Sequence, residues 1–164
     1  MSKHSILQEN KSYTFGSYFE LPYEREDIVA EFDYNFKRAK FSLPTSHRQL
    51  KGLPELRGRI EESLPLVSLS SEAARREVLI APVLLQVARY CQCRLRIEYP
   101  LNINERLKGN LDYLLQANSQ LLVIEAKNDD MTRGFRQLAV ELIALSEWEP
   151  VSYTHLTLPT SVIV

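Results

Sequence analysis

The sequence predicts an α/β protein, and three features of residues 70–149 support this fold class. An amphipathic segment from Ser71 to about Tyr90 predicts a helix, because its apolar residues recur at helical spacing. Three strand-like runs follow at 94–99, 109–116 and 120–127. A second amphipathic segment, 131–148, predicts the closing helix. The order of helix, three-stranded meander and helix indicates one layered unit.

Length and composition predict one domain without a strong charge preference. The chain has 164 residues, 45% of them hydrophobic, and a formal net charge of −1. Nucleic-acid binding would therefore need a local basic patch. Cys91 and Cys93, the two cysteines, are separated by one residue and have no second pair, so we expect reduced thiols rather than a zinc site. The polar N-terminus and the lack of a long apolar run predict a cytoplasmic protein without a membrane segment.

Residues 1–69 are predicted to form an aromatic-rich α+β extension before the core. Short helices are expected near 24–32 and 54–64, and a strand near 34–41. Aromatic residues interleaved with Lys37, Arg38 and Lys40 would suit base stacking. Packing against the core is the favoured interpretation, because most such aromatics are buried for hydrophobic reasons.

The helix predicted from Ser71 carries an acid on its apolar side. Ser70 or Ser71 would cap the helix. Glu77 is four residues after Ala73 and three before Ile80, so helical spacing places its carboxyl among apolar residues. We expect Glu77 to be buried with a partner or to point into a site. Pro82 should kink this helix, since proline removes a backbone hydrogen bond.

Two acids and a lysine fall at the ends of neighbouring strands. Glu125 and Lys127 alternate with Ala126 and therefore share a face of the apolar run 121–127. Asp112 lies in the preceding run, and the polar segment 116–120 between them predicts a hairpin. The hairpin would bring two carboxylates and one ammonium group together, as in a magnesium-and-water site. The alternative is a mutual ion pair between Glu125 and Lys127 on a sheet edge.

The last residues of the chain resemble a sequence of artificial origin. The segment VSYTHLTLPT, residues 151–160, resembles the translation of a sequencing-library adapter. We therefore expect residues 150–164 to be a non-native tail and the final strand of the core to be missing or replaced. An ordinary strand rich in Thr, Leu and Val is the alternative.

Residues 71–148, with Asp112, the Glu125-Ala126-Lys127 motif and Gln137 on the closing helix, resemble the PD-(D/E)xK nuclease superfamily. Leu111 stands where the motif name has proline. The resemblance implies a restriction-endonuclease-like core that hydrolyses phosphodiester bonds of nucleic acid, DNA rather than RNA. It further implies Mg²⁺ or Mn²⁺ as cofactor and, as partners, a second copy of the chain or another subunit of a restriction system.

The resemblance also implies residue roles. Asp112, Glu125 and the carbonyl of Ala126 would bind the metal ion, and Glu77 would hold a second ion or a metal-bound water. Lys127 would assist the attacking water, and Gln137 would complete the catalytic set. Arg133, Arg136 and Gln137 would contact the nucleic-acid backbone, although a solvated helix end would also explain the arginines. A catalytically silent nucleic-acid-binding or interaction module is the alternative function.

Overall fold

A computed structural model describes residues 5–37, 50–117, 120–127, 131–148 and 152–159. For Gln120, Lys127, Met131 and residues 152–159 it describes the backbone alone. The helices are α1 (Phe15–Glu20), α2 (Arg25–Ala30), α3 (Leu53–Ser63), α4 (Glu72–Arg75), α5 (Ala81–Cys91) and α6 (Met131–Trp148). The strands are β1 (Arg94–Asn104), β2 (Leu107–Ala117), β3 (Gln120–Lys127) and β4 (Ser152–Pro159).

The helical stretch before the sheet is continuous but changes its winding. Ser71 caps it, with the side-chain oxygen accepting from the Ala74 N–H at 3.0 Å. A π-helical turn, Arg76–Ile80, joins α4 to α5, and Pro82 follows in the first turn of α5. Proline cannot donate to the preceding turn and crowds its carbonyl, which favours a local change of winding. The expected disturbance at Pro82 therefore takes the form of a π turn.

The sheet has strand order β1-β2-β3-β4, with β1, β2 and β3 antiparallel. β1 continues beyond residue 99 to Asn104, with Pro100 paired to Asn110, so the predicted end of this strand at residue 99 is wrong. Because β1 is an edge strand, a residue without an N–H is tolerated there. β3 has the predicted limits.

The fourth strand is formed by residues of the expected tail. β4 pairs parallel to β3, from Gln120 opposite Ser152 to Lys127 opposite Pro159. The sheet is therefore not left without a final strand. Of the two expected outcomes, a missing strand and one supplied by the tail, the structure has the second.

Helices cover both faces of the sheet, which confirms the α/β class. On one face, β-strand residues such as Leu114 and Val123 pack with Leu138 and Leu145 of α6. On the other, Ile124 packs with residues of α5 such as Leu84. Among the described helices, none is both long enough and apolar enough to cross a membrane.

The N-terminal residues belong to the α6-side core. Tyr13, Phe15 and Tyr18 are buried in the same cluster as Leu138, so the preference for packing over base stacking is confirmed at these positions. The described part of residues 1–69 contains α1 to α3 and one β-bridge, from Thr14 to Lys108. The predicted strand at 34–41 falls mainly on residues outside the described ranges.

We predict that Gly109→Ala destabilises the protein by about 1–3 kcal/mol. Gly109 has φ +148°, and a Cβ there would lie 2.8 Å from Phe15 Cδ2 and 3.2 Å from the Phe15 backbone nitrogen. Relief of this clash requires β2 and α1 to separate. Urea denaturation measures the change in the free energy of unfolding.

Gly58→Ala is the matched control. Gly58 lies inside α3 and has no atom within 4 Å of the position of an added Cβ. This substitution should stabilise the protein by about 0.5–1 kcal/mol, because alanine loses less backbone freedom in a helix. Equal effects of the two substitutions would contradict the predicted contact between Gly109 and Phe15.

Candidate functional site

Three carboxylates follow one another across the sheet. In the β1–β2 register, Ile97 pairs with Tyr113 and Tyr99 with Leu111, which places Glu98 opposite Asp112. In the β2–β3 register, Tyr113 pairs with Ile124, which places Asp112 next in line opposite Glu125. This register brings Asp112 beside the end of β3 that carries Glu125. Asp112 contacts Arg76 of the π turn and Glu125 contacts Gln137 of α6, so the expectation that both carboxylates project to one face stays a prediction.

β2 and β3 separate at this point. Within the described residues their pairing ends at Tyr113 and Ile124, whereas the pairing of β3 with β4 continues to Lys127. The Asp112 carboxylate fills the opening, and its Oδ2 accepts the Ala126 N–H at 3.0 Å. A side chain thus satisfies the buried Ala126 N–H, which has no described backbone partner on β2. This bond fixes the carboxylate of Asp112 beside the end of β3.

Arg76 is the cation at this cluster. Its Nη1 donates to Asp112 Oδ1 at 2.9 Å, and its Nη2 donates to Glu98. The guanidinium also lies 5.6 Å from the centre of the Tyr113 ring. Burial by itself lowers the pKa of Arg76, but the hydrogen bond to Glu98 and the charge of Asp112 outweigh burial and raise this pKa above its usual range. Arg76 is therefore a permanent positive charge between the two acids.

Two backbone irregularities converge on this ion pair. Arg76 is the first residue of the π turn, and Glu98 has φ +49° within β1. A non-glycine residue in the left-handed region costs on the order of 1–3 kcal/mol and occurs mainly where the surroundings enforce it. π turns are likewise frequent at functional sites. The strained backbone thus coincides with the place where the charges meet.

Glu125 is fully buried and is held from α6. Its Oε1 accepts from Gln137 Nε2 at 2.6 Å, and the same amide nitrogen donates to Glu141 Oε1 at 2.9 Å. Gln137 and Glu141 are four residues apart and therefore share a helix face. One side-chain amide thus spans two buried carboxyl groups and fixes the orientation of Glu125.

Glu141 is the second buried carboxyl group of this cluster. Burial and the neighbouring charge of Glu125 raise the pKa of Glu141 well above its usual range, and the hydrogen bond from Gln137 offsets this only in part. Two carboxylates enclosed together cannot both be charged at low cost. The protonated form of Glu141 is therefore favoured.

The structure brings four of the eight predicted site residues together. Asp112, Ala126, Glu125 and Gln137 form one chain of contacts from β2 to α6. Lys127 is the last residue of β3, but its side chain lies outside the described part of the structure. The alternative of an ion pair between Glu125 and Lys127 falls on the same undescribed side chain.

The predicted position of Glu77 is wrong. Glu77 is exposed and lines a groove of about 410 Å³ together with residues of α3 and α5. The π turn inserts an extra residue and shifts the helical phase, so Arg76 rather than Glu77 faces the sheet. Glu77 therefore does not join the carboxylate cluster.

Of the two arginines on α6, one is exposed and one is buried. Arg133 is exposed in the first turn, with its guanidinium carbon 5.9 Å from the centre of the Phe19 ring. Arg136 is buried, and its Nη1 donates to the Leu21 carbonyl at 2.6 Å. Gln137, expected on the face of Arg133, is buried against Glu125. Arg136 and Gln137 therefore make hydrogen bonds within the fold.

Sequence reasoning missed Arg76, Glu98 and Glu141. The spacing of Glu141 four residues after Gln137 was a usable signal, because i and i+4 residues share a face. For Glu98, its sequence position gave no signal, because the pairing partner depends on the β1–β2 register. For Arg76, a signal was present, because it lies three residues after Ala73 and four before Ile80 and therefore also falls on the apolar side of the helix.

Among the described residues, no group of three or more His, Cys, Asp or Glu side chains is arranged to hold a metal ion. Asp112 and Glu125 supply two carboxylates, which is the number that Mg²⁺ commonly takes from a protein while keeping several waters. The donor chemistry therefore fits a hydrated Mg²⁺ ion. Comparison with protein-family models, curated proteins and solved structures finds no match to this chain.

We predict that Glu141→Gln flattens the pH dependence of stability. The folded state holds a proton on Glu141 above the usual carboxyl pKa of 4.5, where the unfolded chain releases it. The free energy of unfolding therefore falls as pH rises above this value, by up to about 1.4 kcal/mol per pH unit, until the folded protein also releases the proton. Glutamine keeps the hydrogen-bonding shape without the titration.

Urea denaturation near pH 5 and near pH 7 measures the effect. The difference between the two free energies of unfolding should be smaller in Glu141→Gln than in the wild type. Glu62→Gln, at an exposed position on α3, is the control for the loss of one carboxyl group. A Glu141→Gln protein with the wild-type difference would show that Glu141 is ionised in the folded state.

Proposed function

We propose that this protein is a Mg²⁺- or Mn²⁺-dependent nuclease with a restriction-endonuclease-like core, acting on DNA rather than RNA. The observation that carries the proposal is the juxtaposition of Asp112 and Glu125 where β2 and β3 separate. Both carboxylates are positioned by further contacts, with Ala126 for one and Gln137 for the other. Such preorganisation is what a metal-binding site requires of its ligands.

The donor set suits a hard cation. Asp112, Glu125 and the Ala126 carbonyl are oxygen ligands of the kind that Mg²⁺ and Mn²⁺ prefer. When bound, such an ion would neutralise charge on the phosphate and activate a water molecule. The side chains of the protein hold these ligands in place and exclude bulk water around Glu125, which is fully buried.

The proposed roles of the other residues follow from their positions. Gln137 orients Glu125 and is a positioning residue. Lys127 stands two residues after Glu125 on β3, and its assignment to the attacking water or to the charge developing at phosphorus rests on the sequence motif. Arg133, exposed at the start of α6, is the candidate contact to the nucleic-acid backbone. Arg136 instead ties α6 to the end of α1.

A catalytically silent nucleic-acid-binding or interaction module is the second candidate, and one observation favours it. Both oxygens of Asp112 already have protein donors, Arg76 and Ala126. A purely structural ion-pair network would have the same appearance. The two candidates differ in whether the acids are needed for chemistry.

We predict that Lys127→Ala and Asp112→Asn each reduce cleavage at least about a hundredfold, with binding largely retained in Lys127→Ala. Each substitution removes a group of the proposed reaction centre without removing Arg133. The measurement is cleavage of labelled duplex DNA, single-stranded DNA and RNA with Mg²⁺ or Mn²⁺. Chelation of the metal ion should stop the reaction.

Lys51→Ala is the control, because Lys51 is exposed before α3 and its side chain has no proposed role. It should cleave like the wild type. Binding without cleavage by the wild type under all metal conditions would favour the silent module. Equal cleavage by wild type and Asp112→Asn would exclude the proposed centre.

A further inference from the structure

We propose that Arg76 is a positioning residue that occupies the cation-binding side of Asp112 in the metal-free protein and must withdraw when a divalent ion binds. The inference rests on the proposed function and names the residue that controls access to its metal site. It also explains why a charged side chain is embedded at the end of the sheet.

The two oxygens of the Asp112 carboxylate have different partners. Asp112 Oδ2 is committed to the Ala126 N–H at 3.0 Å, inside the sheet. Oδ1 is the other oxygen, and the guanidinium of Arg76 lies on it at 2.9 Å. An oxygen that donates its lone pairs to a metal ion cannot keep an arginine N–H in the same direction. The two cations therefore compete for Oδ1.

Two backbone irregularities hold Arg76 in this position. The π turn Arg76–Ile80 changes the helical phase, and Glu98 anchors the other end of the guanidinium fork from a strained backbone with φ +49°. Local strain of this kind clusters at active sites, ligand clamps and switch regions. Departure of Arg76 from Asp112 can leave its contact with Glu98 intact.

The part of the cluster around Glu125 differs from the Arg76–Asp112 pair in its exposure to solvent. Glu125 is fully buried, and its described contact from Gln137 is an uncharged amide. The Arg76 and Asp112 side chains are 15% and 12% exposed to solvent. The ion pair is thus the part of the cluster that solvent and ions reach.

The experiment measures Mn²⁺ binding by electron paramagnetic resonance, without substrate, on the full chain. Arg76→Gln should bind Mn²⁺ about tenfold more tightly than the wild type, because the competing cation is gone. Arg76→Lys should lie between the two, since an ammonium group keeps the charge but cannot span Asp112 and Glu98 as a planar fork does. Arg57→Gln, which removes an exposed arginine from α3, is the matched control and should bind like the wild type.

The outcomes separate this inference from the proposed function. Equal or weaker binding by Arg76→Gln, with binding by the wild type, overturns the role of Arg76 and leaves the metal site standing. Arg76→Lys with wild-type affinity overturns competition for Oδ1 in favour of a general charge effect. No Mn²⁺ binding by any variant overturns both the inference and the metal site. Tighter binding by Arg76→Gln in a protein that cleaves nothing supports the inference alone.

A second measurement observes Arg76 in the wild type itself. Rotation of its guanidinium group, followed by NMR, should be slow in the metal-free protein, which has two carboxylate partners, and should become faster on Mg²⁺ addition as the contact with Asp112 is lost. The signals are assigned by correlation to the Arg76 backbone. An unchanged rotation rate at saturating Mg²⁺ would overturn the proposed withdrawal.

Discussion

The end of the sheet depends on the compensation of three acidic side chains that lie in one row across three strands. Glu98, Asp112 and Glu125 are brought opposite one another by the register of β1, β2 and β3. Like charges opposite each other on neighbouring strands are destabilising, and burial increases the cost. The described polar contacts of Arg76 and Gln137 supply a charge and a hydrogen-bond donor to this row.

The two ends of the row are compensated differently. Arg76 supplies a positive charge to Glu98 and Asp112, whereas the described partners of Glu125 are the amide of Gln137 and, through it, Glu141. A buried ion pair adds little net stability, because desolvation of both partners offsets their attraction. This small net gain is what makes the Arg76 end the half at which we propose an exchange of cations.

The rest of the fold holds α6 against the sheet. Arg136 binds the carbonyl at the end of α1, and Phe15 of α1 packs closely over Gly109 of β2. Gln137, which orients Glu125, directly follows Arg136 on the same helix. Contacts from α1 therefore help to fix the helix that carries the amide of Gln137.

The sequence by itself determined the order of elements around the sheet and the hairpin that brings Asp112 beside the end of β3. Both follow from local patterns: alternating apolar residues predict strands, and a polar loop predicts a hairpin. The tertiary structure decided which groups complete the cluster. Arg76 replaced Glu77 because the π turn changed the helical phase, and Glu98 joined through the β1–β2 register. Neither the phase shift nor that register is encoded in a short segment, since each is set by packing between elements distant in the chain.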